Sequence, residues 1–166
     1  WGENTVRQLA NPSSAFLPYS PAAIPIMLSG SPLQNITSVV SNHYATLALT
    51  KEGKLYYWGA GISDVAHSGT VPITGDATPT IVTYLGGPDV TDVIAIAAGG
   101  YHFLALLRNG TVLGWGRNQF GQVGNGGSIP IVDGERFPVP VLKGVSTPLN
   151  NIKAIAAGDL HSMALD

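Results

Sequence analysis

Short apolar runs alternate with breaks rich in glycine and proline along the whole chain, and no segment holds the period of a helix. The run Ile94–Ala98 is apolar throughout and ends at a glycine, which predicts a strand buried on both faces. The segments His102–Leu107 and Thr111–Trp115 flank Asn109-Gly110, which predicts a hairpin with a type I′ turn. The pattern therefore predicts an all-β protein.

Each of three further extended segments contains or follows a proline. These segments are Ile24–Ile26, Thr80–Val82 after Pro79, and Val139–Val141. Because proline has no amide hydrogen to donate to a neighbouring strand, such a segment belongs at the edge of a sheet. Three inner strands and one outer strand marked by proline make the blade of a β-propeller.

A Trp-Gly pair recurs at a fixed interval of 57 residues, as Trp1-Gly2, Trp58-Gly59 and Trp115-Gly116. A constant repeat length is the sequence signature of propellers and solenoids. We therefore expect three repeats within one partial propeller domain: a degenerate repeat over 1–57, a second over 58–114, and a third, truncated, over 115–166. Since three blades do not close a ring, we expect a fragment of a longer propeller, or else separate chains that complete one another.

A second landmark links the later copies, because residues 93–106 align without a gap on residues 152–165 with eight of fourteen positions identical. The identical positions include Gly99 with Gly158 and His102 with His161. The first copy has Asn42 in place of the glycine, and an alanine in place of the histidine. Asparagine tolerates a left-handed backbone, so Asn42 is predicted to preserve the turn in that conformation.

The composition narrows the classes of function. The net charge is −2 with no cluster of cations, which argues against a nucleic-acid surface, and no segment is long and apolar enough to span a membrane. The absence of cysteine excludes disulfides and thiolate metal sites without assigning a compartment. Asn35 and Asn109 begin glycosylation sequons, and both also suit turns; low charge slightly favours an extracellular or cell-surface setting.

The segment Trp115–Gly124 resembles the W-G-x-N-x-x-G-Q-L-G signature of the regulator-of-chromosome-condensation repeat family, with Asn118, Gly121 and Gln122 at the matching places. Residues 97–106 resemble the family's A-G-x-x-H-S-x-A-L motif. The first copy departs from the pattern because Arg7 and Ala10 replace glycines, and the second loses the motif after Gly59. The resemblance implies a seven-bladed propeller, of which this chain holds about three blades.

Several side chains that could carry chemistry also suit a structural role. His102 and His161 suggest a ring of ligands, but the alanine in the first copy favours hydrogen bonding within each blade. Ser162 beside His161 does not make a triad, because neighbouring side chains on a strand point to opposite faces. The three tryptophans suit a recognition patch or packing between blades, and packing is favoured. We expect no catalytic, cofactor or metal site.

The sequence thus favours a non-enzymatic scaffold that binds a protein partner, or further blades of the same or another chain, through its blade-face loops. The irregular stretches Asn11–Gln34 and Ala60–Asp92 are the loops we expect to bind. One alternative is an extracellular or surface assembly module whose open blades pair with neighbouring chains. Nucleotide exchange on a small GTPase, which the resemblance implies for some members, is less favoured because no residues of this sequence match an exchange site.

Overall fold

The computed structural model describes residues 1–10, 18–60, 76–126 and 134–166. These residues form sixteen β-strands and no helix. The strands are β1 (Gly2–Glu3), β2 (Tyr19–Ser20), β3 (Met27–Leu28), β4 (Ser31–Pro32), β5 (Ile36–Ser41), β6 (Ala45–Thr50), β7 (Leu55–Gly59), β8 (Asp76–Ile81), β9 (Val93–Ala98), β10 (His102–Leu107), β11 (Val112–Gly116), β12 (Glu135–Pro140), β13 (Leu142–Lys143), β14 (Thr147–Pro148), β15 (Ala154–Ala157) and β16 (Ser162–Leu165).

Two four-stranded antiparallel sheets carry the fold, and each follows chain order, β5-β6-β7-β8 and β9-β10-β11-β12. The hairpin β15-β16 follows as the start of a third unit. Because β8 and β12 are edge strands and contain prolines, the prediction of an outer strand marked by proline is confirmed for these two copies.

The prediction of a strand over Ile24–Ile26 is wrong. These residues lie outside any strand, and pairing begins only at β3, which forms a two-residue ladder with β4. Pro25 has no amide hydrogen to donate to a neighbouring strand. The carbonyl of the next residue, Ile26, accepts from the amide of Leu33 at 2.7 Å. The segment therefore enters a short hairpin rather than a sheet.

The hairpin at Asn109-Gly110 is confirmed, but its predicted type I′ turn is wrong. Gly110 has a φ of 80°, whereas Asn109 is not among the residues of positive φ. The Gly110 amide donates to the carbonyl of Leu107, and the Leu107 amide donates to the carbonyl of Thr111, each at 2.9 Å. This is a three-residue loop, a type I turn followed by a left-handed glycine, and the loop between β6 and β7 repeats it.

Apolar side chains pack between successive sheets rather than on one face of a single sheet. Leu47 and Leu55 of the first sheet belong to the same buried cluster as Phe103 and Trp115 of the second. Leu104, the neighbour of Phe103, belongs to a second cluster that reaches the β15-β16 hairpin. Because side chains alternate along a strand, β10 contributes to both blade interfaces.

Strand β9 is less buried than its apolar sequence predicts. Ile94 is 45% exposed, so burial on both faces is wrong for this residue. The physical reason is position, since β9 is the first strand of its sheet and pairs with β10 alone. Strands β5, β9 and β15 lie beside one another, so the first strands of successive blades are innermost.

Candidate functional site

The loop that follows Trp115-Gly116 is held by two buried amide side chains. The Asn118 Oδ1 accepts from the amide of Val123 at 3.0 Å, and the Gln122 Oε1 accepts from the amide of Phe120 at 2.9 Å. Both side chains are almost completely buried. The same two bonds recur in the first copy, from Leu9 to Asn4 and from Val6 to Gln8. Asn118 and Gln122 therefore fix the loop backbone.

The first copy keeps this backbone despite losing its glycines. Arg7 has a φ of 62° where Gly121 has 80°, and Ala10 has a φ of 46° where Gly124 has 72°. Residues other than glycine are strained in the left-handed region. The bonds from the Asn4 and Gln8 side chains to loop amides, which we call the amide network, therefore hold the first loop in this conformation despite the strain at Arg7 and Ala10.

A hydrogen-bonded chain joins the loop to two blades. The Ser162 Oγ donates to the carbonyl of Gln122 at 2.7 Å, and the His102 Nε2 lies 2.8 Å from the same Oγ. Because the Ser162 hydrogen goes to the carbonyl, the His102 Nε2 is the donor of the second bond. His102 thus links its blade to the next, and the prediction of bonding within its own blade is wrong.

Burial lowers the pKa of His102 and so favours its neutral form. Desolvation lowers its pKa, His161 lowers it further, and Asp159 acts in the opposite direction. The side chain is fully buried, whereas His161 is exposed. The two histidines therefore occupy equivalent repeat positions in different surroundings.

Gly99 and Gly158 make room for these two imidazole rings. A Cβ on Gly99 would collide with the His102 ring and the carbonyl oxygen of Gly158, and a Cβ on Gly158 would collide with the His161 ring. None of the three turns uses a left-handed residue at this position, so that prediction for Asn42 is wrong. The Asn42 Oδ1 instead accepts from the amides of Tyr44 and Ala45, at 2.9 and 2.8 Å.

The geometry around Ser162 does not activate a nucleophile. The Ser162 hydroxyl donates to a carbonyl, and none of the hydrogen bonds found among the described residues joins Asp159 to His102. Within the same residues, no group of three or more His, Cys, Asp or Glu side chains could hold a metal ion. Sequence reasoning missed the contact between His102 and Ser162, because it depends on the packing of separate blades.

The tryptophans differ in exposure. Trp58 and Trp115 are buried, whereas Trp1 is 78% exposed. The Trp58 Nε1 donates to the Gln8 carbonyl at 2.9 Å, and Trp115 lies in the buried cluster that includes Leu47 and Leu55 of the first four-stranded sheet. Two of the three therefore pack between a blade and its neighbouring loop or blade.

Both sequon asparagines are exposed, and Asn109 lies in a turn. Asn35 has a φ of 60°, directly before β5. The Asn109 Oδ1 accepts from the amide and the hydroxyl of Thr111, at 3.0 and 2.7 Å. Glycosylation of either remains a prediction.

One end of the blades gathers several turns. The turns 42–44, 99–101 and 158–160 lie there, together with the chain that leaves each Trp-Gly strand. The Arg117 amide donates to the Tyr101 carbonyl at 2.9 Å. We call this end the Tyr101 face, and the end with the hairpin turns 51–53 and 108–110 the Asn109 face.

Four side chains form an aromatic cluster on the Tyr101 face. His43 stacks on Tyr101 with ring centroids 4.8 Å apart and an interplanar angle of 9°, and Tyr44 lies 5.8 Å from Tyr101. The Arg117 guanidinium lies 5.2 Å from the centre of the Tyr101 ring. The His43 Nδ1 bonds the carbonyl of Gly100 at 2.8 Å, which fixes the ring across two blades.

Sequence reasoning missed this aromatic cluster. A signal was present, since Tyr44 and Tyr101 stand 57 residues apart at one repeat position. The loops predicted to bind are described in part, because residues 11–17 and 61–75 lie outside the described residues.

Antiparallel four-stranded meanders whose first strands are innermost and whose faces pack on the next meander define a β-propeller. Models of the regulator of chromosome condensation (RCC1) repeat match residues 93–122 and 109–165. The chain belongs to the RCC1 repeat family, as the signature loop and the second motif predict.

Several known proteins share this sequence or fold. The chain is 41% identical over 90 residues to the RCC1 domain-containing protein RUG3, mitochondrial, of Arabidopsis thaliana, covering 54% of this chain and 19% of that protein. It is 32% identical over 131 residues to human probable E3 ubiquitin-protein ligase HERC6, covering 78% of this chain and 12% of that protein. The chain thus spans less than a fifth of either relative.

Two solved structures share the fold. Human WBSCR16 superimposes with a TM-score of 0.70 at 22% identity, covering 99% of this chain and 38% of that one. Prp20p of Saccharomyces cerevisiae, whose structure was described with its binding to Gsp1p and histones, gives a TM-score of 0.63 at 21% identity with the same two coverages, 99% and 38%. At such identities the likeness establishes the fold.

The part of the chain that the structure describes has no helix long and apolar enough to cross a membrane.

Proposed function

We propose that this chain is a non-enzymatic module that receives a protein partner on its Tyr101 face. The observation that supports this most is the aromatic cluster of His43, Tyr44, Tyr101 and Arg117. Tyrosine and arginine dominate the binding energy of protein interfaces, because they offer large contact area together with hydrogen-bond donors. Here they stand on turns fixed by backbone bonds to neighbouring blades.

The polar groups beneath the Tyr101 face serve structure rather than chemistry. Asn118 and Gln122 hold loop amides, and His102 and Ser162 join two blades. Within the described residues these polar groups support the scaffold, and such a scaffold suits binding better than catalysis. The description of Prp20p with Gsp1p and histones agrees with protein partners for this kind of propeller.

We also propose the division into repeats 1–57, 58–114 and 115–166. The boundary after residue 57 falls within β7 (Leu55–Gly59), and the boundary after residue 114 falls within β11 (Val112–Gly116). Under this division each sequence repeat contributes strands to two blades, so the repeats are interlocked by covalent connection.

The test places a photo-crosslinking amino acid at Phe120, which is 58% exposed in the signature loop beside Arg117. The matched control places it at Leu85, which is 77% exposed in the turn beyond β8 towards the Asn109 face. In an extract of the source cells we expect a crosslinked protein at Phe120 and not at Leu85. The captured protein, once purified, should bind Tyr101→Ala about tenfold more weakly than the unaltered chain, as expected for loss of a central aromatic contact.

Equal capture at both positions would contradict the proposal, as would unchanged affinity of the captured protein for the Tyr101→Ala variant. Circular dichroism of that variant provides the folding control, since Tyr101 is half-exposed and lies in a turn.

A further inference from the structure

We propose that the Tyr101 face recognises an acidic segment of its partner, with a carboxylate bound by Arg117. This inference rests on the proposed function and names the chemistry of the partner. The side chain that carries it is the guanidinium held beside the Tyr101 ring. A planar guanidinium with its donors arranged as a fork matches a carboxylate in a bidentate pair.

Arg117 has donors to spare for such a ligand. A guanidinium carries five N–H groups, and one side-chain bond is found here, from Nη2 to the Oε1 of Gln119. The ion pair found among the described residues joins Lys54 and Asp89, so no described carboxylate neutralises Arg117. The nearby carboxylate of Glu135 accepts instead from the side chain of Asn125.

The guanidinium is also held in place before any ligand arrives. Its Cζ lies over the ring of Tyr101, which stacks on His43, and the Arg117 amide donates to the Tyr101 carbonyl. Ordering a free arginine side chain opposes binding, and a side chain already ordered avoids much of that loss. A guanidinium that lies over an aromatic ring can still donate its remaining N–H groups to a ligand.

The surroundings of Arg117 define the rest of the ligand. Tyr44, within the cluster, and the exposed Phe120, in the loop that follows Arg117, offer aromatic surface, which suits apolar side chains next to the carboxylate. Asp159 lies on the same face beside Gly100, towards the innermost strands, and disfavours a second carboxylate there. The expected partner segment therefore mixes acidic and aromatic residues.

The probe is a fluorescein-labelled peptide, Gly-Ser-Gly-Phe-Asp-Glu-Phe-Glu-Gly-Ser, compared with its analogue containing Asn and Gln in place of the acids. Fluorescence anisotropy at low ionic strength measures both. We expect the amide analogue to bind the full chain about tenfold more weakly. Added salt should weaken the binding of the acidic peptide but not that of the amide analogue.

Three arginine variants sharpen the test. Arg117→Gln should weaken the acidic peptide about tenfold, and Arg117→Lys should weaken it less, because lysine keeps the charge but loses the fork. Arg108→Gln, on an exposed turn of the Asn109 face, is the matched control and should bind within about twofold of the unaltered chain.

The inference is overturned if the two peptides bind equally, if neither binds, or if Arg117→Gln and Arg108→Gln behave alike. These failures are distinguishable from failure of the proposed function. If the crosslink at Phe120 persists in Arg117→Gln with undiminished yield, the face binds a protein and acid recognition by Arg117 is wrong.

Discussion

The His102 ring occupies the space that a side chain at Gly99 would need, and the repeats fill this space in two ways. In the second copy an imidazole occupies the space above a glycine, whereas in the first copy the Asn42 side chain caps the turn and an alanine stands opposite it. Both arrangements keep the same backbone bond, from the Gly99 amide to the His102 carbonyl and from the Asn42 amide to the Ala45 carbonyl, at 2.9 and 3.0 Å. The two residues at each turn are therefore one packing unit.

This unit predicts strong coupling between two substitutions. Gly99→Asn alone should destabilise the chain by more than about 2 kcal/mol, because its Cβ meets the His102 ring. Adding His102→Ala should recover at least about 1 kcal/mol, since it removes the imidazole ring that the new Cβ meets, while the close approach to the Gly158 carbonyl oxygen remains. Urea unfolding of the two single variants and the double variant measures the coupling.

His102→Ala alone is the control, and it should be destabilising because it leaves a cavity and removes the bond to Ser162. If the two single effects simply add in the double variant, the glycine and the histidine are independent and the packing argument fails.

At the scale of single residues, the sequence predicts which residues form the repeat signature better than it predicts their hydrogen-bond partners. The alignment of residues 93–106 with 152–165 identifies Gly99 and His102 as one signature, and their structural role follows from it. The partner of His102 is Ser162, in a separate blade. A contact that packing of blades creates leaves no local pattern, so the predicted partner within the same blade was wrong.

The signature loop shows how one element keeps its shape under sequence change. Side-chain bonds from the amides of Leu9 and Val123 to Asn4 and Asn118 have the same length, 3.0 Å, in both copies. The glycines of the later copy ease the left-handed turns, and the first copy forms those turns without them. The amide network, rather than glycine, determines the loop.

Arg7→Gly should therefore stabilise the chain by about 1 kcal/mol, the cost of holding a side-chain-bearing residue in the left-handed region. Arg7 is exposed, so little packing is lost. The reverse change, Gly121→Arg, should destabilise by a similar amount, because a Cβ there meets no atom within 4 Å and strain alone acts. The shift of the urea midpoint at constant slope measures both changes in stability. If Arg7→Gly is destabilising, the arginine side chain makes a contact that stabilises the chain by more than the backbone strain costs.

Hairpins were predictable from the sequence at this scale, whereas turn geometry was not. Asn-Gly suits a type I′ turn, in which both residues are left-handed, and equally a three-residue loop in which the glycine alone is. Here the loop comprises Arg108, Asn109 and Gly110, and within this loop Gly110 alone has positive φ. The extra loop residue follows from the register of β10 with β11, where Leu106 pairs with Val112, and register is a property of the paired strands.

At the scale of the molecule, stability depends on the layers between blades. Phe103 and Trp115 face the first sheet, whereas Leu104 and Leu106 face the β15-β16 hairpin, so β10 is buried on both sides. An apolar run without alternation predicts such burial, but it does not say which neighbour each side chain meets. Each blade thus forms a shared core with the blade next to it.

Phe103→Ala tests whether the blades form one cooperative unit. The side chain is 2% exposed and lies between the two four-stranded sheets, so its loss should cost about 3–5 kcal/mol. Because the cavity opens towards β5–β8 as well as β9–β12, hydrogen exchange should quicken in both sheets together. Val145→Ala, at a position 85% exposed, is the matched control and should change stability by less than about 0.5 kcal/mol. Faster exchange confined to β9–β12 would mean that each sheet is stable without its neighbour, and that the shared layer joins two independent units.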